Sequence, residues 1–244
     1  MGPPCSTLKG MNRSAGAGLT VGTTMLRGRA AGPAAGPGCA IDAAIFDYGG
    51  VLAEEGFREG MHAIGRAHGL DPEAVLDAGA DAAWGTGWVV GTGDEADFWA
   101  DFFRRTGIVG DPAALRREVL SRFTLRPWMP PLLDRLAASG LTLAVLSDQT
   151  NWLDELEARD RFFHHFDLVA NSYRLGKSKR EAAVFTEIAA RLGIAPGRAL
   201  FIDDNPGNVE RARAMGLRAH LYTGRDGLLA ALAEACPGLE NLHA

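Results

Sequence analysis

Three short apolar runs, far apart in the chain, each stop at an acidic or hydroxyl residue. Ala43-Ala44-Ile45-Phe46 stops at Asp47, Leu141-Thr142-Leu143-Ala144-Val145-Leu146 at Ser147-Asp148, and Ala199-Leu200-Phe201-Ile202 at Asp203-Asp204. Runs of this length bounded by turn residues read as buried strands. Two further strands are expected at Phe166–Ala170 and Arg218–Tyr222. Helical stretches separate them: Pro130–Ser139 with Leu132, Leu133 and Leu136 on one face, 151–163, Glu181–Leu192, Asn208–Met215 and Leu228–Cys236. Strands alternating with helices of this size predict an α/β fold, a doubly wound parallel sheet with helices on both faces. Such sheets bind ligands just outside the carboxyl ends of their strands. Asp47 stands at such an end, although a lone Asp before Gly49-Gly50 is also an ordinary turn residue.

The alternation is interrupted once. Residues 54–126 show helix punctuation and no convincing strand. A helix is expected at about 57–68, and Asp71-Pro72-Glu73 opens another with Pro in its first turn. Thr92 and Glu95 have capping-box spacing before Phe98, Trp99, Phe102 and Phe103. Asp111-Pro112 opens a fourth helix, running to about Phe123. The expected organisation is therefore a core of residues 41–53 and 127–244, with a helical domain of residues 54–126 inserted after the first strand. Trp84 and Trp88 flank a Gly-Thr-Gly stretch that could face a site, whereas most aromatic residues of the insertion pack its own core. Residues 1–40 are rich in Gly, Ala and Pro and carry no Asp or Glu. They read as a disordered tail or over-long start, with a targeting segment as the second reading.

Other function classes are excluded by what is missing. A net charge of −5 without a basic block gives no electrostatic case for nucleic acid. No apolar run approaches the roughly 18 residues of a membrane span. Cys5, Cys39 and Cys236 are odd in number and widely spaced, which fits neither a disulfide framework nor a zinc site and points to a reducing, cytoplasmic setting. The six histidines show no metal spacing, and His164-His165 reads as a helix end.

The polar strand ends are Asp47, Ser147, Lys179 after the third core strand, and the pair Asp203-Asp204. Singly, each has an ordinary structural explanation: a turn, a strand cap, a solvated lysine, a helix N-cap. A parallel sheet brings all of them to one edge. Three carboxylates there repel unless a divalent cation neutralises them, and an all-oxygen site suits Mg²⁺. A lysine and a hydroxyl alongside supply donors for an anion. These parts together describe phosphoryl transfer. A response-regulator receiver gathers similar groups, but there the acidic pair precedes the phospho-acceptor and the helical insertion has no place. A dinucleotide site requires Gly-x-Gly-x-x-Gly after the first strand, which Asp47-Tyr48-Gly49-Gly50-Val51 does not supply.

The four segments resemble, in order, the motifs of the haloacid dehalogenase superfamily of hydrolases, over residues 43 to about 222. They are an apolar strand with Asp-x-x-Gly-Val-Leu, a strand ending in Ser, Gly-x-x-Lys, and Phe-Ile-Asp-Asp-x-x-x-Asn-Val. The insertion is similar to that family's helical cap of the first type (subfamily I). The resemblance implies a Rossmann-like core and a Mg²⁺-dependent hydrolase. Its substrates would be small phosphorylated metabolites, attacked by Asp47 to give an aspartyl-phosphate. Ser147, Asp148 and Lys179 would bind substrate, with Ser147 and Lys179 also catalytic. Asp47, the Gly49 backbone carbonyl and Asp204 would hold the metal, with Asp203 assisting or behind it. No nucleic acid or membrane partner is expected, and the chain would be a monomer or homodimer.

One position departs from the pattern. Phosphatases of the family carry a second Asp two residues after the nucleophile as general acid and base; here that position is Gly49. Tyr48 lies one position early for the dehalogenase pattern and faces the other side of the strand. General acid–base help is worth roughly 10²–10⁴-fold, about 3–5 kcal/mol of barrier. Glu54 or Glu55 substitutes, or the substrate has a good leaving group, or the protein is a weak or silent member. The rivals are a 2-haloacid dehalogenase-like hydrolase and a binding protein without turnover.

Overall fold

The computed structural model describes residues 25–26 and 38–239. In chain order, β1 (Met25–Leu26) and β2 (Ala43–Phe46) precede four helices: α1 (Gly56–Ala67), α2 (Pro72–Gly85), α3 (Glu95–Thr106) and α4 (Pro112–Arg122). Then come α5 (Met129–Ala138), β3 (Thr142–Ser147), α6 (Trp152–Asp160), β4 (Leu168–Asn171), the single turn α7 (Ser172–Leu175) and α8 (Ala183–Arg191). The chain closes with β5 (Ala199–Asp203), α9 (Pro206–Ala214), β6 (Arg218–Leu221) and α10 (Arg225–Ala235).

The six strands lie in the order β1-β4-β3-β2-β5-β6. All neighbours pair parallel except β1, which adds antiparallel to β4. β1 comes from the segment read as a tail; the rest of that reading, residues 1–24 and 27–37, lies outside the described residues. β2 is central and buried along its whole length. Alternate strand residues divide between two cores, as the two-residue period requires. Phe46, Leu143, Val145 and Ile202 pack on one face with Leu132, Leu136, Leu153 and Leu232. Ile45, Ala144, Leu146 and Phe201 pack on the other with Phe185 and Ile188 of α8. From β2 the chain winds outward through β3 and β4, then crosses back to β5 and β6. The carboxyl ends of β2 and β5 therefore flank the point where the winding reverses, where α/β sheets form their ligand crevice.

The helical insertion leaves and rejoins the core at one point. Ala53 bridges Leu125, the Glu54 amide donates to the Thr124 carbonyl at 2.9 Å, and the Arg126 amide donates to the Leu52 carbonyl at 3.0 Å. Asp71 and Asp111 cap α2 and α4 as their Asp-Pro dipeptides predict. The start of α3 differs from expectation. Asp94 caps it by accepting from the Asp97 amide at 2.9 Å, whereas the Thr92 hydroxyl donates to the Gly87 carbonyl. Trp88, Phe98 and Phe102 are buried, and Trp88 meets Trp152 of α6 edge-on at 4.8 Å. The insertion's core is thus continuous with one face of the sheet.

The reading of the cysteines needs correction. Cys39 and Cys236 form a disulfide across 197 residues, with Cα atoms 4.0 Å apart. The topology brings both ends of the core together, where the Ala40 amide donates to the Ala235 carbonyl at 2.7 Å. Spacing along the chain carries no sign of this, and cysteine usage no longer argues for a reducing compartment. Among the described residues no helix is long and apolar enough to cross a membrane.

Candidate active site

Strand register decides which side chains meet. Phe46 of β2 lies opposite Val145 of β3 and Ile202 of β5, so the next residues in each strand direction form one row at the sheet edge. Asp47 leaves β2 at that row, flanked by β3, which ends in Ser147, and by β5, which ends in Asp203. Lys179 arrives from the loop after α7. Its backbone amide donates to both oxygens of Asp148, at 2.9 and 3.2 Å, and its carbonyl accepts from Arg211 Nε at 2.8 Å. The Asp148 carboxylate is thereby spent on holding the lysine's loop, although Asp148 also lines a cavity above the strand ends.

The lysine is 1% exposed. Its Nζ lies 2.6 Å from Asp47 Oδ2 and 2.7 Å from Asp203 Oδ2. Asp203 is saturated: it also accepts from the Asn205 amide at 2.7 Å and from Asn208 Nδ2 at 3.0 and 3.1 Å. Asn208 is the Asn of the fourth motif, and its place in the first turn of α9 explains its spacing from Asp203. Asp204 turns the other way, into the cavity.

Buried carboxylate outnumbers ammonium here, and the protonation preferences follow. Burial drives the Asp47 carboxyl well above its usual range; Lys179 pulls against this, while Asp203 and Asp204 add to it. Burial also raises Asp204, helped by the charge on Asp203, and raises Asp148 against the pull of Lys179. For Lys179 burial disfavours the charge, but Asp47, Asp203 and Asp148 outweigh it and hold the ammonium protonated. Such a site gains from a second cation. One oxygen each from Asp47, Asp203 and Asp204 lies within 4.8 Å of the others; with the Asp203 oxygens taken, Asp47 and Asp204 are the hard oxygen donors left for a cation such as Mg²⁺. The loop after β2 is shaped around this cluster. Gly50 has φ of 77°, and a Cβ there would collide with the Asp204 carboxylate. Arg126 braces the loop from behind, donating to the Val51 and Gly50 carbonyls at 3.0 and 3.2 Å.

Above the strand ends is a cavity of about 450 Å³. Asp47, Ser147, Lys179 and Asp204 form its floor, and Phe57, Arg58, Ala80, Ala83, Trp84 and Val89 of the insertion form its roof. The two tryptophans part company: Trp84 lines the cavity, with the Arg180 guanidinium 3.6 Å from its ring centre, whereas Trp88 is buried and donates to Asn151. Tyr48 points away as its position predicts. Its ring stacks between Phe123 and Phe162, its buried hydroxyl has no hydrogen-bond partner among the described residues, and burial raises its phenol. Sequence reasoning missed Arg58 and Arg180, whose only signal was charge on segments leading into the cavity.

The two downstream glutamates also separate. Glu54 pairs with Arg126 at 2.7 Å and does not reach the cavity. Glu55 lines it, caps α1 by accepting from the Arg58 amide at 2.7 Å, and is raised by burial.

A family model described as haloacid dehalogenase-like hydrolase matches residues 41–216. Among curated proteins, the chain is 27% identical over 206 residues to a phosphatase of Mycobacterium tuberculosis, covering 78% of this chain and 92% of that one. It is 23% identical over 184 residues to a chloroplast flavin mononucleotide hydrolase of Arabidopsis thaliana, covering 75% and 73%. A solved HAD family enzyme of Bacteroides thetaiotaomicron superposes with a TM-score of 0.63 at 21% identity, over 76% of this chain and 96% of that one, a likeness of fold. The same enzyme was solved in complex with magnesium and inorganic phosphate.

Proposed function

Since this chain belongs to the haloacid dehalogenase-like hydrolases, we propose that it is a Mg²⁺-dependent phosphatase of small phosphorylated metabolites, working through an aspartyl-phosphate on Asp47. The observation that carries the reading is one buried ammonium held between two carboxylates, Asp47 at 2.6 Å and Asp203 at 2.7 Å, beside the cavity-facing Asp204. A cation so placed keeps a carboxylate aimed at the cavity while an anion approaches it. The relatives named as a phosphatase and a flavin mononucleotide hydrolase, and the magnesium and phosphate held by the solved enzyme, support the same chemistry.

In this reading Asp47 Oδ attacks phosphorus, Lys179 offsets the charge between nucleophile and phosphoryl group, and the Ser147 hydroxyl donates to a phosphoryl oxygen. Asp47, the Gly49 carbonyl and Asp204 would hold Mg²⁺. Asp203 supports the site from behind, since its own oxygens are taken by Lys179, Asn205 and Asn208. When bound, the ion neutralises phosphoryl oxygens so that one anion can attack another. Arg58 and Trp84 at the roof, with Arg180 of the core against Trp84, meet the rest of the substrate.

The test is a panel of phosphorylated metabolites assayed for phosphate release with Mg²⁺, with chelator, and with Asp47→Asn. Turnover that needs the metal and vanishes in the variant supports the reading. Metal-free halide release from 2-haloacids identifies a dehalogenase instead, and phosphate binding without turnover identifies a binding protein.

A further inference from the structure

The reading above leaves the leaving group without a proton donor, because Gly49 has no side chain. The geometry points to Glu55 as the catalytic acid and base of this site, delivered from the first turn of the insertion; this rests on the phosphatase reading. A Cβ on Gly49 would lie 3.5 Å from Glu55 Oε1, so the glutamate's free oxygen stands beside the place a side chain at position 49 would occupy. Its other oxygen is pinned by the Arg58 amide at 2.7 Å, which fixes the carboxyl group at the start of α1. Glu55 shares the cavity with Asp47, Ser147, Lys179 and Asp204. Glu54, the other acid within reach in sequence, is paired with Arg126 and does not line this cavity.

The two half-reactions balance with this residue. In the first, Asp47 Oδ bonds to phosphorus, the bond from phosphorus to the alkoxide oxygen breaks, and that oxygen takes the proton of the Glu55 carboxylic acid. In the second, water attacks phosphorus and gives its proton to the Glu55 carboxylate. The bond from phosphorus to Asp47 breaks, releasing inorganic phosphate and restoring both carboxyl groups. Carrying the acid on the insertion ties proton transfer to the seating of that domain over the substrate.

Glu55→Gln keeps an oxygen for the Arg58 amide, so the helix cap survives and an unchanged melting temperature reports an intact fold. The experiment compares an alkyl phosphate, whose leaving group needs a proton, with p-nitrophenyl phosphate, whose leaving group does not. With Mg²⁺, Glu55→Gln should lose about 10²–10⁴-fold in kcat on the alkyl phosphate. On p-nitrophenyl phosphate it should release one equivalent of p-nitrophenolate in a burst and then stall as phosphoenzyme. Glu54→Gln should follow the wild type on both. A Cβ at position 49 meets only ordinary contacts, from Glu55 and from Phe123 at 3.6 Å. Gly49→Asp added to Glu55→Gln should therefore restore alkyl phosphate turnover at least tenfold. Glu55→Gln within threefold of wild type on the alkyl phosphate, or a p-nitrophenolate burst slowed as much as the alkyl phosphate reaction and not repaired by Gly49→Asp, overturns the assignment and leaves the phosphatase reading standing. A wild type inactive on every phosphomonoester overturns both.

Discussion

Lys179→Met removes the one ammonium that two buried carboxylates share while keeping much of the side chain's apolar volume. Lys179 is 1% exposed and Asp203 0%. Breaking a buried ion pair from one side costs about 3–5 kcal/mol, because the partner stays behind uncompensated. Asp203 keeps three hydrogen bonds from Asn205 and Asn208, and Asp47 keeps the Tyr48 amide at 2.7 Å, so the lower end applies. For a chain of this size each kcal/mol is worth roughly 2–4 °C in melting temperature, giving a fall of roughly 6–12 °C at neutral pH. The pH dependence has a definite sign. Burial already raises the Asp47 carboxyl above its unfolded value, and losing Lys179 raises it further. A carboxyl raised in the folded state contributes stability below its unfolded pKa and loses it as pH rises through the folded one. The deficit relative to wild type should therefore be largest at neutral pH and shrink as pH falls toward the ordinary carboxylate range. Thermal melts of both proteins across that range, without metal, make the test. A variant that melts within 2 °C of wild type at neutral pH, or a deficit that grows on acidification, refutes the reasoning.

Mg²⁺ at about a hundred times its dissociation constant should stabilise the folded chain by about 2.7 kcal/mol, a rise of roughly 5–10 °C in a thermal shift assay. Asp204→Asn should abolish that rise while leaving the metal-free melting temperature within a few degrees. Gly50→Ala should weaken the Mg²⁺-dependent shift, because its Cβ displaces the Asp204 carboxylate; calorimetric titration with Mg²⁺ measures it. Ser147→Ala should lower kcat by about 10²–10³-fold if its hydroxyl stabilises the transition state as an oxyanion donor does. A change confined to KM would mark it as ground-state binding only.

The architecture was legible because strand ends and helix stops use strong local signals. Apolar runs cut off by Asp47, Ser147 and Asp203, and Asp-Pro openings at Asp71 and Asp111, need no tertiary information. The acidic cluster was legible for a related reason: a parallel sheet sends strand ends to one edge whatever the intervening chain does. What depends on three-dimensional closure was not legible. The Cys39–Cys236 bond joins residues 197 positions apart and leaves no local mark. The division of labour between Asp203 and Asp204 is set by which carboxylate Lys179 and Asn208 occupy, and adjacent residues of the same type cannot reveal that. Glu54 and Glu55 are likewise equivalent in sequence; only Arg126 on one side and the α1 cap on the other separate them. Trp84 and Trp88 divide for the same kind of reason, one at the end of α2 facing the cavity and the other wedged against Trp152.

The proposed reaction turns on Asp47 taking the phosphoryl group. Rapid acid quenching of the enzyme during turnover of a phosphomonoester, followed by mass spectrometry of the peptide containing Asp47, measures this directly. A phosphoryl adduct is expected on that residue, formed only with Mg²⁺ and absent from Asp47→Asn, which should also show no turnover. An adduct on another residue, or phosphate release that persists in Asp47→Asn, contradicts it.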